Sequence, residues 1–271
     1  MAVILVIIFA VVAAAIAIVY FYLTRALPRK NWLAEHKFAH RGLHGGEIPE
    51  NSMRAFEEAA AAGYGIELDV RLSSDGQVVV FHDDNLKRMT GMDKPIGGLP
   101  WEELSALRLA GSAEGIPLFA DVLKTVAGRV PVLVEIKSRG QAGALEEKTY
   151  ALLQEYKGLF AVQSFSPFSV GWFCRHAPHV LRGQLSSGFD DQGFSEPPLP
   201  GYQVFVLKNL LSNFYAKPNF ISYEIGSLPK GVVARQRKRG VSVLGWTVRT
   251  EEQKEKAGKL CDTIIFEKIR P

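Results

Sequence analysis

Cysteine is almost absent from this chain of 271 residues: Cys174 and Cys261 are the only two. Two cysteines at that spacing build neither a disulfide framework nor a sulfur-ligated zinc or iron–sulfur centre, and their scarcity agrees with a reducing compartment. The chain also lacks a Gly-rich dinucleotide fingerprint after its first strand and any Walker-type phosphate loop. Its formal net charge of +4 is dispersed, with no long basic block interleaved with aromatics, so no nucleic-acid groove is expected. Disorder is excluded by a hydrophobic content of 47%, which supplies a sizeable core.

Charge is missing altogether from Met1 to Leu23, MAVILVIIFAVVAAAIAIVYFYL, as are Pro and Gly. As a helix this stretch would rise about 34 Å, enough to cross a bilayer core of roughly 30 Å. Tyr20 and Tyr22 sit where interfacial aromatics belong, and Arg25, Arg29 and Lys30 follow. A cleaved signal peptide would start with basic residues and have a shorter apolar run. Residues 1–24 therefore read as a retained transmembrane anchor and 25–37 as a juxtamembrane linker. With positive charge only on the C-terminal side, the protein is expected in the cell membrane, single-pass, with its globular part cytoplasmic.

From residue 38 onward short apolar, β-branched strands alternate with helices. Strands are expected at 38–42, 65–70, 77–81, 132–137, 161–165, 180–185, 220–224, 241–248 and 262–266. Helices are expected at 52–62, opened by Asn51 or Ser52, and at 101–107, 118–127, 144–156, 232–239 and 251–259. Apolar strand cores fit parallel strands buried on both faces. The expected fold class is α/β, a closed TIM-type (β/α)8 barrel, with an open doubly wound sheet as the competitor.

Polar residues fall at the C-terminal ends of these strands, where a barrel gathers its catalytic groups. His40 ends the first strand. Glu67 and Asp69, two apart, share one face of the next. Glu135 and Lys137 end the strand after the 77–81 segment, Gln163 lies on the one beyond, and Trp246 is near the end of another. Buried carboxylates are costly unless paired or bound to metal. Glu67, Asp69 and Glu135 make an oxygen-rich set suited to Mg²⁺ or Ca²⁺, and salt bridges to Arg41, Arg71 or Lys137 are the bland alternative. His40 and His82 are the natural proton-transfer pair, with Asp83 placed to orient His82. His36 and His44 are weaker candidates, and His176 and His179 should face solvent. Arg41 and Lys137 beside a divalent ion suit a phosphate oxyanion. Asn51 is either a helix cap or a donor to a substrate oxygen.

In order along the chain these residues resemble the glycerophosphodiester phosphodiesterase family. The resemblance rests on HRG at 40–42, PENS at 49–52, ELDV at 67–70, HDD at 82–84, IPLFADVL at 116–123, VEIK at 134–137, QSF at 163–165 and GWTV at 245–248. It implies a barrel over 38–271 with a small insertion at about 81–115. It also implies a divalent cation on Glu67, Asp69 and Glu135, and His40 and His82 as general acid and base. Arg41, Asn51, Lys137, Gln163 and Trp246 are the expected substrate-binding residues. The implied reaction releases glycerol 3-phosphate and an alcohol, and related enzymes can pass through a cyclic phosphate. Where the family commonly has Thr and then Thr-Asp, this chain has Ser52 and then Phe266-Glu267. The second departure is expected to alter the substrate pocket rather than the chemistry.

An anchored site would meet lipid head groups at high local concentration, so lysophospholipids stand beside water-soluble glycerophosphodiesters as substrates. The apolar, aromatic stretch 202–221 could line an acyl groove, lean on the membrane, or simply form barrel wall. The competing functions are an inactive, anchored lipid-binding or interaction module and a phosphodiesterase releasing cyclic phosphate.

Overall fold

The computed structural model describes residues 1–138, 140–189 and 199–271. The expected closed barrel is present. Its parallel strands are β1 (Phe38–Ala39), β2 (Gly65–Leu72), β4 (Val132–Ile136), β5 (Phe160–Ser164), β6 (Leu181–Ser186), β7 (Phe220–Glu224), β8 (Ser242–Val248) and β9 (Thr263–Phe266). They pair in that sequence, and β1 closes the ring by pairing with both β2 and β9. The short β3 (Val78–Val80) instead runs antiparallel to the end of β2.

Helices α2 (Met53–Ala61), α5 (Phe119–Val126), α6 (Ala144–Glu155), α7 (Pro167–His176), α10 (Gly231–Lys238) and α11 (Glu251–Leu260) surround the strands. The start of α2 is set by Ser52, whose hydroxyl accepts from the Ala55 amide at 3.2 Å. Outward-facing residues such as Ile66, Leu68, Val70, Val132 and Val134 form the main core against the helices. A smaller satellite core of Val79, Phe81, Leu86, Leu104 and Ile116 holds together β3, α3 (Lys87–Thr90) and α4 (Trp101–Ser105).

The barrel interior is layered by strand alternation. Its floor contains Phe38, Leu133, Ala161, Phe220, Leu244 and Ile265. Two residues further along each strand, on the same face, come His40, Glu135, Gln163, Ser222, Trp246 and Glu267. The interior therefore turns from apolar to polar in a single step toward the mouth. Gly183 makes room for this floor, because a Cβ there would lie 2.1 Å from the Phe220 ring.

The segment expected as a linker is bonded to the barrel. The Leu27 amide donates to the Pro218 carbonyl at 2.8 Å, Asn219 donates to the Leu27 carbonyl at 3.1 Å, and Arg29 donates to the His179 carbonyl at 2.7 Å. Leu33 is fully buried in the floor layer. Before it, α1 (Ala2–Leu23) has no buried residue and is, among the described residues, the one helix long and apolar enough to cross a membrane. The stretch 202–221 divides between the outcomes considered for it: α8 (Gly201–Lys208) has no buried residue, whereas Leu210, Phe220 and Ile221 are buried.

Truncating Leu33 removes the side chain that plugs the barrel floor. Leu33→Ala is expected to cost about 2–5 kcal/mol, read as a lower midpoint in urea unfolding of the detergent-solubilised chain.

Candidate active site

The mouth is built on three buried carboxylates from adjacent strands. Asp69 pairs in register with Glu135, and Glu135 with Gln163. Glu67, Asp69 and Glu135 present oxygens that all lie within 4.8 Å of one another. Lys137 binds two of them, with Nζ 3.0 Å from Asp69 Oδ1 and 2.6 Å from Glu135 Oε1. The backbone amide of Arg41 donates to Glu67 Oε2 at 3.0 Å, and its guanidinium Nε lies 3.5 Å from Asp69 Oδ2. Arg71 takes no part, since its guanidinium serves the His82 carbonyl and Asp84.

These contacts do not neutralise the group. Burial, followed by repulsion from Asp69 and Glu135, pushes Glu67 well above the ordinary carboxylate range. Burial would raise Asp69 too, but Lys137, His82 and Arg41 hold it well below. Glu135 is raised by burial against the pull of Lys137. An all-oxygen set in which burial and mutual repulsion hold one carboxyl above its usual range fits a hard divalent cation, which would compete with the proton there.

The HRG and PENS motifs fold back against these acids. Arg41 and Asn51 both adopt positive φ, 55° and 53°, and the Asn51 amide donates to the Arg41 carbonyl at 2.9 Å. Gly42 sits so close to α2 that a Cβ would lie 2.8 Å from Ala55, and its φ of +80° also favours glycine. The cap of α2 is Ser52, which frees Asn51 to donate from Nδ2 to Asp69 Oδ2 at 2.8 Å. Its own Oδ1 is buried with no protein partner.

Both histidines are backed by carboxylates. His82 Nδ1 lies 2.6 Å from Asp83 Oδ1, and Asp83 is gripped by Arg88 at 2.6 Å. Arg88 also bonds Glu50, which accepts from Arg41 at 2.7 Å, so a charged chain links His82 to the HRG loop. His40 Nδ1 lies 3.1 Å from Glu267 Oε2. In each ring the carboxylate selects the Nδ1–H tautomer and leaves the Nε2 lone pair for chemistry. Burial lowers both histidines to about 4, and Lys137 adds to the effect at His82. Both rings are therefore neutral near pH 7, the state in which a histidine accepts a proton.

Gln163 is buried between Ser222, which donates to its Oε1 at 2.7 Å, and Glu67, 3.4 Å from its Nε2. Trp246 packs edge-on against Phe165 with ring centres 5.6 Å apart. His176 and His179 are exposed, as expected. Sequence reasoning missed Glu50, Arg88 and Ser222, whose partners are remote in the chain. Glu267 it treated as a pocket variation, although its carboxylate backs a histidine. The signal was available: Glu267 follows Ile265 by two residues on an inward-facing row.

The sequence profile of the glycerophosphoryl diester phosphodiesterase family matches residues 40–269. The chain belongs to that family. A glycerophosphodiester phosphodiesterase of Bacillus altitudinis is 35% identical over 204 residues, covering 68% of this chain and 83% of that one. A rat lysophospholipase D is 33% identical over 142 residues, covering 48% of this chain and 44% of its own. The solved structure of an Oleispira antarctica phosphodiesterase in complex with its product sn-glycerol-3-phosphate superposes with a TM-score of 0.68 at 25% identity, covering 85% of this chain and 92% of that one. This family member is thus an enzyme, a phosphoric diester hydrolase.

Two predictions follow from the carboxylates. Because Glu67 retains its proton well above the usual range, cation binding must displace it, so affinity rises with pH until Glu67 ionises unaided. Calorimetry of Mg²⁺ or Ca²⁺ binding in buffers of different ionisation enthalpy is expected to show proton release on binding that diminishes as pH rises. Glu267 raises His40 through their hydrogen bond, so Glu267→Gln should lower it further. The variant is expected to lose about tenfold to a hundredfold in kcat, with the limb of the pH profile that His40 controls moved to lower pH.

Proposed function

We propose that this chain hydrolyses glycerophosphodiesters to glycerol 3-phosphate and an alcohol, using a divalent cation on Glu67, Asp69 and Glu135. The observation that carries this reading is the buried carboxylate trio flanked by Arg41 and Lys137 and by two neutral, carboxylate-backed histidines. With Glu67 ionised, three carboxylates against two cations would leave one negative charge in excess. A divalent ion would reverse the excess to one positive charge, matching a monoanionic phosphodiester.

Arg41 and Lys137 would hold the phosphoryl oxygens, and Asn51 would turn its unpartnered Oδ1 toward a hydroxyl donor on the glycerol. One histidine Nε2 removes the proton from the attacking hydroxyl, whether of water or of the adjacent glycerol carbon. The other, after taking up a proton from solvent, delivers it to the oxygen of the departing alcohol, so no alkoxide is released. Asp83 and Glu267 keep each ring in the required tautomer. When bound, the cation would polarise a phosphoryl oxygen and offset charge that builds up in the transition state. Anchorage by α1, with the barrel on the cytoplasmic side, completes the reading. It is supported by the length and apolarity of α1 and by the basic residues that follow it.

The test is glycerol 3-phosphate release by the full chain from glycerophosphocholine, glycerophosphoglycerol and a lysophospholipid, each with Mg²⁺, Ca²⁺ or chelator. Release is expected to need the cation and to fall by about 10²–10⁴-fold in His82→Ala, the range lost with a general acid or base. Cation-independent release, or full activity in the variant, would refute this assignment of the site.

A further inference from the structure

Among the described residues, the outer surface joining α1 to the barrel mouth carries a run of exposed aromatic rings. At one end Tyr22 of α1 lies 6.1 Å, ring centre to ring centre, from Phe214 of α9 (Asn213–Ala216). The end of α1 is fixed there: Asn213 donates to the Thr24 carbonyl at 3.1 Å, Arg235 donates to the Thr24 hydroxyl at 2.8 Å, and the Arg235 guanidinium lies 4.7 Å from the Tyr20 ring centre. Next to Phe214, Tyr215 packs on Phe168 of α7 at 5.6 Å and carries Arg175 5.0 Å from its ring centre.

At the other end, α8 reaches the mouth. The Leu207 carbonyl accepts from Ser186, the last residue of β6, and the Lys208 carbonyl accepts from Tyr223, near the end of β7. Its Tyr202 and Phe205 are 69% and 62% exposed, and Phe168 and Phe214 exceed 40%. Large rings left in water are costly, and a soluble surface seldom groups them. Helices α7, α8 and α9 themselves contain no Asp or Glu; Arg175 lies in α7 and Lys217 directly follows α9. Exposed aromatic rings that continue from the end of an apolar helix long enough to cross a bilayer suit the head-group layer beside such a helix.

We propose that the face formed by α7, α8 and α9 rests on the bilayer that α1 crosses, with Tyr202 and Phe205 inserted among the head groups at the rim of the mouth. The bonds at Thr24 fix the barrel to the anchor at that face, so the mouth is held beside the lipid rather than swinging on a tether. The substrate class this geometry selects is a glycerophosphodiester that is itself a lipid, such as a lysophospholipid. The inference rests on the proposed function for its substrate and on the anchor for its orientation.

The test uses the full chain in vesicles of phosphatidylcholine and phosphatidylglycerol. In a Cys174→Ser background, an environment-sensitive dye is placed on Phe205→Cys, on Ile8→Cys within α1, or on Glu57→Cys of α2. Head-group-level spin-labelled lipid is expected to quench the dye at position 205 but not at position 57; equal behaviour at those two positions overturns the docking. In parallel, Tyr202→Ser with Phe205→Ser is expected to lower turnover of vesicle-borne lysophospholipid about tenfold while glycerophosphocholine turnover is unchanged. Equal loss on both substrates, or loss on neither, overturns the role of α8. No turnover of either substrate by the unsubstituted chain, with position 205 still quenched, overturns the substrate assignment and leaves the docking standing. Absence of lipid contact at position 8 overturns the anchor instead.

Discussion

Everything at the mouth depends on compensating three carboxylates buried within one hydrogen-bonded patch of barrel. Glu67, Asp69 and Glu135 lie on neighbouring strands because the strands are in register, and the register is held by the apolar rows around them. An isolated buried carboxylate would cost several kcal/mol and lose its charge. Here the cost is offset by Lys137 between two of the acids and by Arg41 beneath a third contact. The remaining imbalance is visible in the raised Glu67.

The same imbalance explains the surrounding strain. Arg41 and Asn51 hold positive φ so that one backbone amide and one side-chain amide can reach the acids from outside the strands. Gly42 permits the tight approach of this loop to α2. Glu50, Arg88 and Asp83 then extend the charge network outward to His82. Positioning of the histidines is thus coupled to the loop that would meet phosphate, and a change at Arg88 would be felt at both.

The barrel floor ties catalysis to location. Leu33 belongs to the interior core, and the residues between it and α1 are hydrogen-bonded to the barrel wall. The segment read in sequence as a juxtamembrane linker is therefore part of the barrel's own packing.

Much of this was legible in the sequence. Alternation and β-branching marked the strands, and the two-residue spacings of Glu67 with Asp69 and of Glu135 with Lys137 put chemistry on a single face. The HDD run placed Asp83 beside His82, and the uncharged first stretch marked a long apolar helix. These are local properties, set by the period of a strand or helix and by neighbouring residues. Only the tertiary structure decided which carboxylate backs His40, because Glu267 arrives from the opposite end of the chain when β9 closes on β1. It alone chose Ser52 over Asn51 as the cap, since Asn51 is drawn to Asp69. It also put Leu33, within residues 25–37, into the floor and left Tyr202 and Phe205 outside while Phe220 and Ile221 went in. Those outcomes depend on ring closure and on which surfaces are already covered, and neither is a property of any short stretch of chain.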